Sequence, residues 1–530
     1  MKRVLVANRG EIALRVFRAA HGLDLAAVAV AAPDDLGSLH ARSADALVEI
    51  PSYLDPAALV AAAVASGADA IHPGYGFLAE NGDFAESVVA AGLVWIGPPA
   101  AALRAGGDKL AARALAASAG VPTIPETEVP PLIVKAAAGG GGRGMRVVRS
   151  RAELAPALEA AKREALAAFG DDRVYLERYL ERPRHVEVQL LADTHGAVIS
   201  LGERDCSIQR RHQKLLEESP AVGLPADLRS ALAEAAVAFG RLIGYQGAGT
   251  VEFVVDGDDF FFLELNGRIQ VEHPVTELVT GIDLVEWQLR IARGEHLDIA
   301  PEARGHAIEA RLYAEDPVTF LPQAGRLDRL RLPSAIRVDA GVEEGDEVGT
   351  SYDPLLAKLI AVGPTRREAL ARLAGALAET EVAGVTTNLP LLRWLVAQPG
   401  VRAGAVTTAF LVEHPPLSVA PPLPPAAVWQ GPFRLNLPPP RPQAPPRLSS
   451  VERTADGAWH LVTAPMPGTV VKVHVEPGAT VAAGAPLVVL EAMKMETPLM
   501  APRDAVVRAV HARAGDRVVG GALLVELEAG

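Results

Sequence analysis

The chain has 530 residues, 49% of them hydrophobic and 22% charged, with a formal net charge of −13 at pH 7. That length exceeds one ordinary domain, the apolar share supplies ample core, and the acidic balance argues against general nucleic-acid binding. The only cysteine, Cys206, excludes an intramolecular disulfide and fits a reducing compartment.

No signal or transit pattern and no apolar run of roughly 18 residues is read along the chain, so a cytoplasmic protein without a membrane partner is expected. The first element is a strand, Val4-Leu-Val-Ala7, that turns through Asn8-Arg-Gly-Glu11 into a helical pattern from Ile12 to Ala20. This is a Rossmann-like opening, but it lacks Gly-x-Gly-x-x-Gly, so dinucleotide binding has little support. Ile71-His-Pro-Gly-Tyr-Gly-Phe77 reads as a turn after another short strand and by itself shows no chemistry.

The strongest phosphate signal follows. Leu132-Ile-Val-Lys135 leads into Gly139, Gly140, Gly141 and Gly142, then Arg143-Gly144, and a second apolar strand leaves through Val148. Successive glycines let backbone N–H groups approach an anion without interference from a Cβ. With no Gly-Lys-Ser/Thr opening a helix, the run is read as a β-hairpin lid over a triphosphate, flanked by Lys135 and Arg143. A plain surface hairpin has the same composition. Cys206, within Glu-Arg-Asp-Cys-Ser, is read as a packing residue rather than a nucleophile.

Thr250-Val-Glu252-Phe-Val-Val255 and Phe260-Phe-Phe-Leu-Glu264-Leu265 flank Asp256-Gly-Asp-Asp259, a hairpin signature. A turn centred on Asp258 puts Glu252 opposite Glu264. Like charges directly opposed are destabilising unless a cation lies between them. Magnesium takes such carboxylate oxygens and completes its shell with phosphate and water, and Asn266 offers a further oxygen. A chance pairing of exposed glutamates is the alternative. Beyond it, Asn266, Arg268, Gln270 and Glu272 share one face if the backbone is extended. A guanidinium fork beside a carboxylate base suits bicarbonate, and a salt-bridged edge strand explains the pattern equally well.

Residues 415–446 hold 13 of the 42 prolines, a composition that favours extended polyproline II over helix or sheet. Roughly 45 linker residues reach about 140 Å fully extended, or about 35–40 Å as a coil. Val428-Trp-Gln-Gly-Pro-Phe-Arg-Leu-Asn436 is too apolar for pure linker. After it, residues 464–491 recur 37 positions later as 501–528, with 13 identities that include Val470/Val507, His474/His511, Gly478/Gly515 and Leu490/Leu527. A repeat of this size implies one supersecondary unit used twice. Two copies of short strands close a small barrel by pseudo-twofold symmetry, and the break at 492–500 becomes a hairpin with Lys494 at its tip. His474 and His511 are read as structural.

Glu491-Ala-Met-Lys494-Met-Glu-Thr-Pro498, with the entry Ala464-Pro-Met-Pro-Gly468, resembles the biotinyl carrier domain. Lipoyl domains share that fold, but the Met-Lys-Met frame favours biotin. With Ala7-Asn-Arg-Gly-Glu-Ile12, His72-Pro-Gly-Tyr-Gly-Phe77, Arg204-Asp-Cys-Ser-Ile-Gln-Arg-Arg-His-Gln-Lys214, Arg268-Ile-Gln-Val-Glu-His-Pro-Val-Thr-Glu277 and Gly305-His-Ala-Ile-Glu-Ala-Arg311, the chain resembles biotin carboxylase of the ATP-grasp superfamily. It is most similar to the biotin-carrying α subunit of acyl-CoA carboxylases.

The resemblance implies a Rossmann-like α/β domain over 1–107, an α+β ATP-grasp domain over 108–304, and a C-terminal carboxylase subdomain over 305–413. It further implies a proline-rich linker over 414–460 and an all-β biotinyl barrel over 461–530. It assigns ATP to Lys109, Lys135, the glycine run, Glu177 through Leu180, His185, Gln209 and His212, with Arg178 where lysine is common. Magnesium or manganese falls to Glu252, Glu264 and Asn266. Bicarbonate falls to Arg268, Gln270 and the Val271 backbone, with Glu272 as its base. Lys214 is placed by the reacting phosphate, Arg311 by the biotin enolate, and covalent biotin on Lys494. Gly267 stands where the family more often has a side chain, and a small local effect is expected.

The implied activity is ATP- and bicarbonate-dependent carboxylation of biotin on Lys494, with carboxybiotin supplied to a separate carboxyltransferase (β) subunit. That partner would carboxylate acetyl-, propionyl- or methylcrotonyl-CoA. Biotin protein ligase and a dimeric carboxylase core are the other implied partners. A carrier scaffold with an inactive nucleotide site and a different ATP-grasp ligase are the rivals. The first conflicts with intact Glu252, Glu264, Arg268, Glu272 and Arg311, the second with the biotin hairpin.

Overall fold

The structure, a computed structural model, describes residues 1–137, 145–210, 213–415, 451–453, 459–466, 468–492 and 495–529. Strands β1 (Arg3–Val6), β2 (Ala26–Ala31), β3 (Ala46–Glu49), β4 (Ala70–His72) and β5 (Val94–Trp95) form a parallel sheet in the order β3-β2-β1-β4-β5. Strand alternation sends Val4 and Val6 into one core, with Ile12, Val16 and Phe17 of the helix Gly10–Gly22 and Leu284 and Leu289 of the helix Leu284–Ala292. Leu5 and Ala7 enter the opposite core with Leu59, Phe84 and Val88. Burial on both faces, about 1.5–3 kcal/mol for each large apolar side chain, explains the unbroken apolar strand. The expected strand–turn–helix is present, with the helix two residues longer at each end. Asn8 Nδ2 donates to the carbonyls of Pro73 and Tyr75 at 2.7 Å each, which locks the turn after β4 onto the first one. Gly74 has φ 65, and a Cβ there would lie 2.7 Å from Asn8 Nδ2.

Strands β6 (Leu132–Ala136), β7 (Arg146–Val148) and β8 (Val174–Arg178) make a three-stranded sheet, β7-β6-β8, and pack with the helix Arg151–Phe169. β6 and β7 pair antiparallel from Leu132↔Val148 to Val134↔Arg146, as expected of strands that flank the glycine run. Gly139, Gly140, Gly141, Gly142 and Arg143 lie outside the described residues.

An eight-stranded antiparallel sheet is the centre of the molecule. Its strands are β9 (Arg184–Ala192), β10 (Val198–Arg210), β11 (Gln213–Ser219), β12 (Gly247–Asp256), β13 (Asp259–Asn266), β14 (His306–Tyr313), Arg337–Ala340 and Leu355–Gly363. The order is β13-β12-β9-β10-β11-β14, then Leu355–Gly363 and Arg337–Ala340. β11 pairs with β14 from Leu216↔Ala310 to Ser219↔Ala307. One ladder therefore crosses position 304/305, where sequence reading drew a domain boundary, because both sides of it need partners for their strand edges.

Glu252 faces Glu264 as expected, by a different route. The turn is a two-residue loop, Gly257-Asp258, closed by Asp256↔Asp259, and an irregularity after Glu252 restores the register. Gly257 adopts φ 65, which a tight hairpin loop favours in glycine. The extended reading of 266–272 is corrected. β13 ends at Asn266, the next residues form no strand, and Glu272 stands at the N-terminus of the helix His273–Thr280, whose Pro274 suits a first turn.

The C-terminal repeat is borne out strand by strand. Gly468–Val473, Thr480–Val481 and Pro486–Ala492 recur as Ala505–Val510, Arg517–Val518 and Leu523–Ala529. Val470 pairs with Leu490 as Val507 pairs with Leu527, and the copies exchange short strands through Gly468↔Val518 and Val481↔Ala505. Val470, Leu487, Leu490, Val507, Leu524 and Leu527 fill one core. Part of the expected linker instead belongs here. Val451–Arg453 pairs with Trp459–Thr463, because hydrogen-bonding that strand covers an edge of the five-stranded sheet. Val428–Asn436 and most of the proline-rich stretch lie outside the described residues. Among the described residues no helix is long and apolar enough to cross a membrane.

Candidate active site

Three buried carboxylates converge on one ammonium group. Lys214 Nζ donates to Glu187 Oε2 at 2.5 Å, Glu272 Oε1 at 2.7 Å and Glu252 Oε1 at 2.8 Å. Strand geometry explains the convergence. Glu187 and Glu252 are Cα partners across β9 and β12, and Glu252 faces Glu264 across β12 and β13. On β11 a register shift between Gln209↔Lys214 and Ile208↔Leu216 lets Lys214 join Glu217 on the site's face, three residues away.

Arg311, on β14, completes the arrangement. Its Nε donates to Glu217 Oε1 at 2.5 Å and its Nη2 to Glu272 Oε2 at 2.9 Å. Both oxygens of Glu272, which is 0% exposed, are therefore held by cations. Burial alone raises a carboxyl pKa, but Lys214, Arg311 and Arg204 outweigh it and hold Glu272 well below the usual range. The same contest, against Lys214 and His185, lowers Glu252. Burial disfavours the charged Lys214, yet Glu187, Glu252 and Glu272 keep it protonated, with a pKa well above that of free lysine.

Arg268 forms a fork over this cluster. Its Nε donates to Glu80 at 3.0 Å, one Nη to Gln270 Oε1 at 3.0 Å and the other to Asn266 Oδ1 at 2.9 Å. Gln270 and Asn266 in turn donate to Glu252 Oε1 at 3.1 and 2.9 Å. The Val271 carbonyl accepts from Lys358 Nζ at 3.0 Å, while among the described residues nothing accepts from the Val271 N–H. A guanidinium, an amide, a free backbone donor and a carboxylate thus gather in one place, the donor and acceptor set for a small oxyanion with a proton to lose. A Cβ at Gly267 would meet Leu103 Cδ2 at 2.8 Å. Glycine here suits the close approach of Leu103, and a larger residue would push that side chain aside.

The nucleotide candidates fall into two groups. Lys135 Nζ lies 2.5 Å from Glu177 Oε2, and Arg113 Nη1 donates to Glu177 Oε1 at 2.5 Å. Leu180 is half-buried just past β8, and Arg178 is exposed with its guanidinium over Phe261. Lys109 opens the helix Lys109–Ser118, capped by Asp108, and its Nζ lies 3.6 Å from Glu264 Oε2. His185 Nε2 stands 3.0 Å from Glu252 Oε2, outside hydrogen-bond alignment. Gln209 is the Cα partner of Lys214. His212 and Lys494 lie outside the described residues. Strands Pro486–Ala492 and Met495–Met500 pair through Ala492↔Met495, which leaves only Met493 and Lys494 between them.

The donor set fits a hard divalent cation. Facing carboxylates of Glu252 and Glu264 sit beside an Asn266 amide, and the ammonium groups of Lys214 and Lys109 lie 2.8 and 3.6 Å from those same carboxylates. His185, Glu187 and Glu252 also offer ligand atoms within 4.8 Å of one another. Glu187, Glu217, Glu80 and Arg204 were not singled out from sequence. Arg204, 0% exposed, donates to Glu187 at 2.5 Å, Gln189 at 2.7 Å and the hydroxyls of Thr250 and Thr276 at 3.0 Å each. Alternation was the available signal. His185, Glu187 and Gln189 occupy every second position of β9, alternating with the apolar Val186, Val188 and Leu190. Cys206 is fully buried 4.0 Å from Glu272 Oε1, and burial raises its pKa well above the usual thiol value, in keeping with a packing role.

The model "Biotin carboxylase, N-terminal domain" matches residues 1–103, "Carbamoyl-phosphate synthase L chain, ATP binding domain" residues 108–300, and "Biotin carboxylase C-terminal domain" residues 309–413. "Biotin-requiring enzyme" matches residues 460–527. The chain is 46% identical to the mitochondrial methylcrotonoyl-CoA carboxylase subunit alpha of Arabidopsis thaliana over 78% of its own length and 61% of that protein. It is 44% identical to the biotin-dependent acyl-coenzyme A carboxylase alpha3 subunit of Mycobacterium leprae over 95% of its own length and 94% of that protein. The biotin carboxylase domain dimer of the Hydrogenobacter thermophilus 2-oxoglutarate carboxylase, solved with MgADP, ADP and bicarbonate, superimposes with a TM-score of 0.76 at 42% identity, over 78% of this chain and 98% of that one.

The central sheet, the small sheet beside it and the convergent carboxylates and cations are those of an ATP-grasp protein. Within that class the chain belongs to the biotin carboxylase family and carries a biotinyl domain at its C-terminal end. It spans about 61% of the length of the plant methylcrotonoyl-CoA carboxylase subunits that it matches.

Proposed function

We propose that this chain carboxylates biotin attached to its own Lys494, using ATP and bicarbonate, and delivers the carboxyl group to a separate carboxyltransferase subunit that acts on an acyl-CoA. The carrying observation is Glu272 clamped between Lys214 and Arg311 beside the Arg268–Gln270 fork, on a chain that also bears the Met-Lys-Met hairpin. Lys109, Lys135 and His185 bind the nucleotide, with the glycine run and His212 over its phosphates. Gln209 lies near the ribose, and Glu177 through Leu180 meet the adenine. Glu252, Glu264 and Asn266 hold magnesium or manganese, which shields the phosphate charge when bound. Arg268, Gln270 and the Val271 N–H orient bicarbonate, and Glu272 takes its proton.

The deprotonated oxygen then attacks the γ-phosphorus as the bond to ADP breaks. Lys214 has two roles in succession. In the free site it depresses the basicity of Glu272. A substrate phosphate that draws Nζ away removes one of those charges, so Glu272 becomes a stronger base as substrate arrives. Arg311 supplies positive charge for the oxygen that turns anionic as the acceptor loses its proton. Biotin, once attached, contributes a nucleophilic ureido nitrogen and a tether. A biotin protein ligase would attach it, and the carboxylase core would pair with a second copy.

Bicarbonate-dependent release of ADP in the presence of free biotin tests this reading. Glu272→Gln is expected to lower kcat about 10²–10⁴-fold, the range of a lost general base, with ATP binding within a few fold. ADP release that Glu272→Gln leaves untouched would remove the assigned base, and a wild-type protein that releases no bicarbonate-dependent ADP would favour the inactive-scaffold alternative.

A further inference from the structure

Glu309, on β14, has no part in the chemistry above, yet it sits in the same buried layer as Arg311. It is 0% exposed, and neither of its carboxyl oxygens has a hydrogen-bond partner. Across the ladder it is the direct partner of Glu217 on β11, also 0% exposed. Glu217 Oε1 accepts from Arg311 Nε at 2.5 Å, while Glu217 Oε2 has no partner. Directly opposed residues of an antiparallel pair hold their Cβ atoms about 4.5–5.5 Å apart on one side of the sheet. Two ionised carboxylates there would leave three oxygens bare in a dry layer and repel each other.

One proton resolves the conflict. Placed on Glu309, it makes a hydroxyl that donates to Glu217 Oε2 and leaves only a weakly accepting carbonyl oxygen unpaired. The surrounding charges decide which partner keeps it. Glu217 already faces Arg311. Lys358, the Cα partner of Arg311 on the strand Leu355–Gly363, is the other cation of the layer. Its Nζ is committed to Glu11 Oε2 at 3.0 Å, the Val271 carbonyl at 3.0 Å and Asp339 Oδ2 at 3.8 Å. Glu272, before the helix His273–Thr280, adds negative charge and is held by Lys214 and Arg311. Burial foremost, with repulsion from Glu217 and Glu272, pushes Glu309 well above the carboxylate range despite Lys358 and Arg311.

We propose that Glu309 is a protonated carboxylic acid whose hydroxyl donates to Glu217 Oε2, and that this bond positions Arg311 against Glu272. Glu309 is thus a positioning residue. Its effect on turnover rests on the role proposed for Arg311, whereas the shared proton does not. The arrangement also explains an acidic pair on an active-site ladder, because a neutral donor fixes Glu217 without adding a second negative charge beside the cation that the reaction uses.

Infrared difference spectra of the biotinylated chain, wild type minus Glu309→Gln, provide the test. The C=O stretch of a neutral carboxyl is expected at neutral pH in the wild type and absent from the variant. Turnover gives an independent readout. Glu309→Gln keeps an N–H for Glu217 and should stay within about threefold of wild type. Glu309→Leu has no donor and should lower kcat about 10- to 100-fold, the worth of a hydrogen bond to a charged group, with KM for ATP within about twofold. A wild-type spectrum without the neutral-carboxyl band overturns the proposal, as does Glu309→Gln being as slow as Glu309→Leu. A band that is present in a protein with no turnover would count against the proposed activity while upholding the shared proton.

Discussion

Replacing Lys214 with methionine, an apolar side chain of similar reach, takes away the one ammonium that joins Glu187, Glu252 and Glu272. Each contact, at 2.5–2.8 Å, has a gross attraction on the order of 6 kcal/mol at an effective dielectric of about 20. Most of that is cancelled by the cost of burying the ammonium. What remains when one partner of a buried ion cluster is removed is about 3–5 kcal/mol, or a fall in Tm on the order of 10 °C. The loss should depend on pH, with a definite sign. Glu252 and Glu272 have folded pKa values below their unfolded ones, so their stabilisation is present above about pH 4.5 and lost as pH falls through the depressed folded values. In Lys214→Met those carboxylates lose the largest charge that lowers them, with Arg311 still beside Glu272 and His185 beside Glu252, and they take up protons more readily as pH falls. The gap between variant and wild type should be widest at pH 7–8 and narrow toward pH 5. Thermal or urea unfolding at several pH values measures it, and magnesium should stabilise the variant more than the wild type, because a divalent cation can take the vacated place. A Tm difference below about 2 °C, or one that does not change with pH, would refute the reasoning.

Three further outcomes are expected. Arg204→Met should cost about 3–5 kcal/mol in urea unfolding, because it removes the buried partner of Glu187 and leaves Gln189, Thr250 and Thr276 short of a donor. Glu264→Gln removes one of two opposed carboxylates and should raise the magnesium concentration needed for half-maximal ADP release at least about tenfold, with little effect on Tm, since Glu264 is partly exposed. Cys206 should react with iodoacetamide on the order of 100-fold more slowly in the native protein than in denaturant, because burial keeps the thiol protonated and out of reach.

Local periodicity carried a good deal of this molecule. The period of two on β12 and β13 was enough to oppose Glu252 and Glu264, although the turn centre and the later irregularity were each missed and cancel. The 37-residue repeat placed the three strands of each copy, because identical spacing of apolar residues fixes identical pairing, while Val451–Arg453 and Trp459–Thr463 lie before it, the first of them read as linker. Arg268, Gln270 and Glu272 gather although their segment is not a strand; Arg268 donates to Glu80 and Asn266, Gln270 donates to Glu252, and Glu272 accepts from Lys214 and Arg311, so side-chain bonds hold them rather than a ladder. What periodicity did not carry was partnership across long separations. Nothing local to Lys214 names Glu187 or Glu272, nothing near Arg311 names Glu217, and nothing near Val271 names Lys358. Those contacts depend on which strands are neighbours in the eight-stranded sheet, and its order runs through β11 and β14, nearly ninety residues apart in sequence. Family resemblance supplied Glu252 and Glu272 but not Glu187, Glu217 or Glu80, the other acidic partners of Lys214, Arg311 and Arg268.

The most direct test of the central claim is acid-labile incorporation of labelled bicarbonate into the purified, biotinylated chain with Mg-ATP, beside a Lys494→Arg control. Label that requires both ATP and Lys494 is the predicted result. A protein that carries biotin on Lys494 and takes up no label, or that takes it up equally in the Lys494→Arg variant, would contradict the account.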